Sequence, residues 1–165
     1  MMKIASVMTA AAIVFGGASL SISAQGSHVI QTPEEAKWGP APPMLPAGAQ
    51  IAVLSGDPGK SAAYAVRLKF PANFAIPAHS HPTDENVVIT SGALTLGMGD
   101  KLSKTGAANK MIKAGGYALM PANMNHYAFA GAQGATIVLY GQGPVEFKYV
   151  NPSDDPRNAR TSTSR

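Results

Sequence analysis

The chain is punctuated so regularly that it has no room for a long helix. Past the first two dozen residues, runs with strand character at 50–54, 63–70, 86–91, 93–98, 117–120, 126–130, 136–140 and 146–150 end almost every time at Gly, Pro, Asn or Asp. In the second run Tyr64, Val66, Leu68 and Phe70 alternate with Ala65, Arg67 and Lys69. That period of two is the mark of a half-buried antiparallel strand. Nothing beyond the start keeps an apolar period of 3.6 long enough for a major helix. About eight short strands set apart by turn residues predict an all-β sandwich or barrel.

The two ends read differently. Met1, Met2 and Lys3 form a short positive start, and Ile4 to Leu20 are uncharged and mostly apolar. With the small residues Ser21, Ser23 and Ala24 following, residues 1–24 are expected to be a Sec-type signal peptide that directs the chain to the periplasm or to secretion. Thr9, Gly16, Gly17 and Ser19 interrupt the apolar run, so it falls short of a membrane span and no membrane attachment is expected after cleavage. No Arg pair precedes it, which argues against twin-arginine export. Residues 25–48 carry five prolines around the lone Trp38 and read as an extended arm. The single domain is expected at 49–150, followed by a polar tail, 151–165, with too little apolar surface to offset its own ordering entropy.

Composition removes several function classes. The formal net charge of +4 is mild. Lys101, Lys104, Lys110 and Lys113 are expected to share one solvated loop, without the interleaved aromatics that a nucleic-acid surface uses, so no nucleic-acid partner is expected. The absence of cysteine excludes disulfides, thiolate metal sites and thiol catalysis.

What remains is a set of imidazoles and carboxylates. His79 and His81 stand two apart, which in a strand puts both on one face. Glu85 follows a Pro82-Thr83 turn signal and can open the next strand toward the same interior. Asp84 beside it would then face the other way. His126 follows the turn at Pro121-Ala122-Asn123 and can arrive from elsewhere in the sheet. Three imidazoles and one carboxylate from neighbouring strands can surround a single cation, and nitrogen and oxygen donors of this kind accept Fe, Mn, Ni, Cu or Zn alike. His28 lies away from these clusters and is expected to be exposed.

The residues also carry a resemblance. His79, His81, Glu85 and Gly92 are spaced as in the first cupin motif, H-x-H-x3-E-x6-G, and Gly115, Pro121 and His126 as in the second, G-x5-P-x-G-x2-H. The chain thus resembles a single-domain cupin over nearly all of 51–150. The resemblance implies a jelly-roll β-barrel holding one divalent metal ion inside it by His79, His81, Glu85 and His126. Two coordination positions would stay open for a small-molecule ligand or substrate.

Asn73 and Asn123 stand where the family pattern has Gly, and Asn is the other residue that readily takes positive φ. Ala130 stands where the family often has Asn. Met98, Met120, Met124, Tyr117, Tyr127 and Phe129 are expected in the barrel core and pocket lining, with Tyr127 and Phe129 pointing opposite to His126.

Functionally the resemblance implies a metal-dependent enzyme of dioxygenase, isomerase or lyase type acting on a small chelating substrate. The alternative is a non-catalytic module that binds a small ligand or a metal. A homodimer is also expected, with the arm around Trp38 lying across the partner.

Overall fold

The computed structural model describes residues 28–161. The expected signal peptide and residues 162–165 of the tail lie outside the described residues. Among the described residues nine strands form one curled antiparallel sheet: β1 Gly39–Pro40, β2 Gln50–Ser55, β3 Ala63–Phe70, β4 Ala75–Ser80, β5 Glu85–Met98, β6 Lys110–Lys113, β7 Tyr117–Met120, β8 His126–Gln142 and β9 Lys148–Tyr149. A 3-10 turn at Pro152–Asp154 and a short helix, α1 Pro156–Thr161, follow.

The long strand β8 organises the rest. Its second half pairs with β3, from Phe70 opposite Ala135 to Ala63 opposite Gln142. Its first half pairs with β4, and β5 runs along the whole of its other edge, from Glu85 opposite Gly141 to Met98 opposite His126. The sheet therefore curls around one interior. Val66, Leu68 and Phe70 of β3, Val87 and Ile89 of β5, and Ile137 and Leu139 of β8 fill it, and all are buried. Burial of side chains of this size contributes about 1.5–3 kcal/mol each.

Several boundaries differ from the sequence reading. The runs at 86–91 and 93–98 are one strand, as are those at 126–130 and 136–140. Gly92 and Gly134 take φ of +70° and +76°, and a Cβ on Gly92 would collide with the carbonyl oxygen of Gly134. Glycine here lets the paired strands bend together instead of ending. Lys110 and Lys113 belong to strand β6, not to a loop: the short edge strand pairs with 93–96 of β5 and turns Ile112 toward the core.

The Pro-rich segment is not a free arm. β1 pairs with β2, Leu45 and Ala49 join the core, and the Tyr149 hydroxyl donates to the Met44 carbonyl at 2.7 Å. Trp38 is half-buried against its own barrel, with the Lys69 ammonium 6.0 Å from its ring centroid.

The tail forms local structure over 152–161, and its tip, 162–165, lies outside the described residues. Asn151 Oδ1 accepts from the Ser153 amide, and the Asp155 carboxylate accepts from both the backbone and the guanidinium of Arg157. The same guanidinium donates to the Phe147 carbonyl at 2.9 Å. Local caps of this kind order a polar segment that has no apolar surface to bury.

Candidate metal centre

Each candidate ligand is aimed inward by a specific local device. In β4, simple alternation from Ile76 would send Ala78 and Ser80 to the interior. The register against β8 instead jumps from Ile76 opposite Ala128 to His79 opposite His126, so Pro77 and Ala78 together oppose Tyr127. This bulge resets the alternation and turns His79 inward. Glu85 opens β5 with the parity of Val87 and Ile89, the two most buried side chains of that strand. His126 opens β8 with the parity of Ala128 and Ala130. Asp84 faces outward, where its Oδ1 accepts from the Ala122 amide at 2.8 Å.

One donor atom from each of His79, His81 and His126 comes within 4.8 Å of the others, and all three residues are buried. The ring centroids of His79 and His126 are 4.4 Å apart. Glu85 completes the group: its Oε1 lies 3.4 Å from His81 Nε2, and its Oε2 lies 3.7 Å from His126 Nε2. His28, by contrast, is exposed.

Hydrogen bonding fixes what these rings present to one another. His79 Nδ1 is 2.7 Å from the Pro77 carbonyl, His81 Nδ1 is 2.7 Å from the Glu146 carbonyl, and His126 Nδ1 is 2.9 Å from the Met124 carbonyl. A carbonyl oxygen only accepts, so each Nδ1 carries a hydrogen and each ring turns its Nε2, the atom free to ligate, to the interior. His81 Nε2 and His126 Nε2 are buried and have no hydrogen-bond partner among the described residues. Lone pairs facing a carboxylate in a dry interior repel one another unless something positive lies between them. Backbone carbonyls that orient imidazoles through Nδ1 are also the usual outer support of a metal site.

Charge follows the same logic. Burial, and next the imidazoles of His126 and His81, push His79 down to about 3, so it stays neutral near pH 7. The Tyr64 phenol is pushed up by burial and then by the charge of Glu85, so it remains a protonated donor. Three imidazoles and one carboxylate are a donor set that fits a divalent ion.

The group opens onto interior space. A small void lined by His79, Glu85 and His126 shares Leu45, Leu68, Leu139 and Phe147 with a cavity of about 180 Å³ that continues toward the Pro-rich segment.

The family profile described as "Domain of unknown function (DUF4437)" matches residues 29–161. The chain belongs to the DUF4437 family. No curated protein matches it. A candidate acetylacetone dioxygenase from Methylibium petroleiphilum PM1 superposes with a TM-score of 0.59 at 17% identity, over 87% of this chain and 99% of that one. An RmlC-like cupin from Shewanella frigidimarina NCIMB 400 gives 0.52 at 15% identity, over 77% and 96% of the two chains. KdgF from Halomonas sp. gives 0.52 at 20% identity, over 72% and 94%. This DUF4437 protein therefore has the cupin jelly-roll fold, and His79, His81 and His126 could hold a metal ion.

The DUF4437 site includes residues that the motifs do not contain. Phe147 stacks on His79 with centroids 4.5 Å apart at 16° and meets His81 edge-on at 86°. Tyr149 pairs with His79 across β4 and β9. The alternation of Phe147 and Tyr149 in the last expected strand was the available signal, since it puts both rings on one face.

Not every aromatic and methionine is where it was expected. Met120 and Tyr127 are buried, but Met98, Tyr117 and Met124 are exposed, and none of the six residues expected in the lining borders these two cavities. Tyr127 covers the outer side of the sheet over Gly97, where its hydroxyl donates to Asn109 Oδ1 at 2.8 Å. Ala130 packs in the core.

Proposed function

We propose that His79, His81, Glu85 and His126 hold one divalent metal ion and that the barrel is a metal-dependent enzyme acting on a small substrate with an oxygen donor. The observation that carries this reading is the pair of buried Nε2 atoms on His81 and His126 that have no hydrogen-bond partner among the described residues and are aimed at the Glu85 carboxylate. Bound there, a divalent ion would supply Lewis-acid polarisation of the substrate oxygen, or dioxygen chemistry if it is iron.

The chain's own residues do the rest. The Pro77, Glu146 and Met124 carbonyls hold the three rings in the ligating tautomer. Phe147 and the apolar barrel wall exclude water, and Glu85 is the group able to accept a proton from a bound substrate. Reaction types consistent with the site are dioxygenation, isomerisation and lyase chemistry. A protein sharing the fold is described as a candidate acetylacetone dioxygenase, which is compatible with the first. The positively led apolar start supports export to the periplasm or beyond, with the metal acquired afterwards.

A second reading, a binding module without chemistry, is favoured by one observation: among the described residues, Tyr64 and Glu85 alone bring polar side chains to the larger cavity. The chain loaded separately with Fe, Mn, Ni, Cu and Zn should be assayed against diketones, hydroxy acids, catechols and thiols. Turnover that disappears in His126→Ala supports the enzyme. A small molecule retained by the purified protein in mass spectra, with no product from any metal form, supports the binding module instead.

A further inference from the structure

The cavity beside the metal centre has a chemistry of its own. Its volume of about 180 Å³ is somewhat larger than the roughly 150 Å³ of an apolar protein cavity that takes up benzene. Its walls come from Met44, Ile51, Val66, Leu139, Val145 and Phe147 among others, and among the described residues it is lined by no Lys, Arg, Asn, Gln or Ser. Among the described residues its polar side chains are those of Tyr64 and Glu85, and the Glu85 carboxylate already faces His81 and His126. A phosphate or sulfonate would find no counter-charge here, and a sugar would leave most of its hydroxyls unpaired against hydrocarbon.

The far wall is built by the Pro-rich segment. Pro42, Met44 and Leu45 line the cavity, and the segment is fixed in place by the Tyr149 hydroxyl on the Met44 carbonyl and by the Ala41 amide on the Ala49 carbonyl at 3.0 Å. The wall is therefore part of the folded barrel, and it sets how long a ligand can be.

We infer that this cavity binds an uncharged compound with a hydrocarbon body about the size of a substituted benzene ring, its oxygen-bearing end toward Glu85 and its hydrocarbon end against Pro42, Met44 and Leu45. Only the placement of the oxygen-bearing end rests on the proposed metal reading. The rest follows from the size and lining of the space. Such a ligand buries most of its surface on residues already in place, which is how small-molecule pockets generally gain affinity.

The test uses the full chain loaded with zinc, the zinc content of each sample being measured, and repeats the titration after the metal is removed with a chelator. Methionine methyl groups carrying ¹³C are followed by NMR while benzyl alcohol, or ribose as the polar control, is added. Benzyl alcohol should shift the Met44 methyl saturably and leave the exposed Met98, Met111 and Met124 unmoved. Ribose should shift none of them. Val145→Trp, at a half-buried wall position, should weaken benzyl alcohol binding tenfold or more, and Met44→Trp, read by intrinsic fluorescence, provides the same check if the first variant does not fold. Ribose binding as tightly as benzyl alcohol, or shifts confined to the exposed methionines, would overturn the inference. Benzyl alcohol binding to protein that takes up no zinc would sink the metal reading alone, and zinc uptake without benzyl alcohol binding would sink the cavity inference alone.

Discussion

His79 and His126 face each other directly across the β4–β8 ladder, although one comes from the end of an early strand and the other from the start of the longest one. The pairing depends on the Pro77-Ala78 bulge, without which His79 would point away from the interior. Since neither ring can reach its partner by local folding, the site exists only once the sheet has closed. Its properties are therefore properties of the whole barrel.

Glu85 should matter in opposite senses with and without metal. A buried carboxylate facing two bare nitrogens is a burden on the metal-free fold, so Glu85→Gln should leave the melting temperature of metal-free protein unchanged or raise it. In the wild type, metal at a hundred times its dissociation constant should add about 2.7 kcal/mol of stability, roughly a 10 °C rise. That rise should fall by more than half in Glu85→Gln. Melting curves of both proteins with and without metal check this, and an equal rise in both would remove Glu85 from the ligand set.

Acid should destabilise the metal-free protein over a definite window. The ordinary value for His79 is 6.5 and its folded value is about 3. Between those limits the unfolded chain binds a proton that the folded chain refuses, so stability falls as pH drops from 6.5 toward 3, by up to about 1.4 kcal/mol per pH unit. Above pH 6.5 this group contributes no slope. Urea unfolding at a series of pH values should show the decline, and His79→Gln should flatten it between pH 6.5 and 5.

Asn73 and Asn123 both adopt positive φ, 58° and 60°. Asn73→Gly should accordingly be close to neutral, whereas Asn73→Val, with a branched Cβ in the left-handed region, should cost about 1–2 kcal/mol. Denaturant midpoints of the two variants measure the difference.

The Pro-rich wall should loosen without its anchor. Tyr149→Phe removes the hydrogen bond to the Met44 carbonyl and should cost about 1 kcal/mol overall. Hydrogen exchange should quicken at Leu45, whose amide bonds to the Pro42 carbonyl, and stay unchanged in β3. Uniform quickening across the sheet would show that the bond supports the whole fold and not the wall.

Much of this architecture was legible in the amino-acid sequence, because strand alternation and turn chemistry are local. The inward set of β3, the opposed faces of Asp84 and Glu85, and the tolerance of Asn for positive φ all follow from a residue and its near neighbours. What escaped depends on partners far along the chain. Gly92 and Gly134 look like strand ends until each is seen to bend against the other. The Pro77-Ala78 bulge is defined only by the strand opposite it. The Pro-rich segment looked free because its anchor, Tyr149, lies at the other end of the domain.

The account stands or falls on whether these four side chains hold one cation. The direct measurement is equilibrium dialysis of the full chain and of His81→Ala against each divalent metal, with metal content read by elemental analysis. The wild type should retain about one equivalent per chain, and the variant should bind at least 10-fold more weakly. Retention by the variant equal to that of the wild type, or no retention by the wild type with any of the five metals, would contradict it.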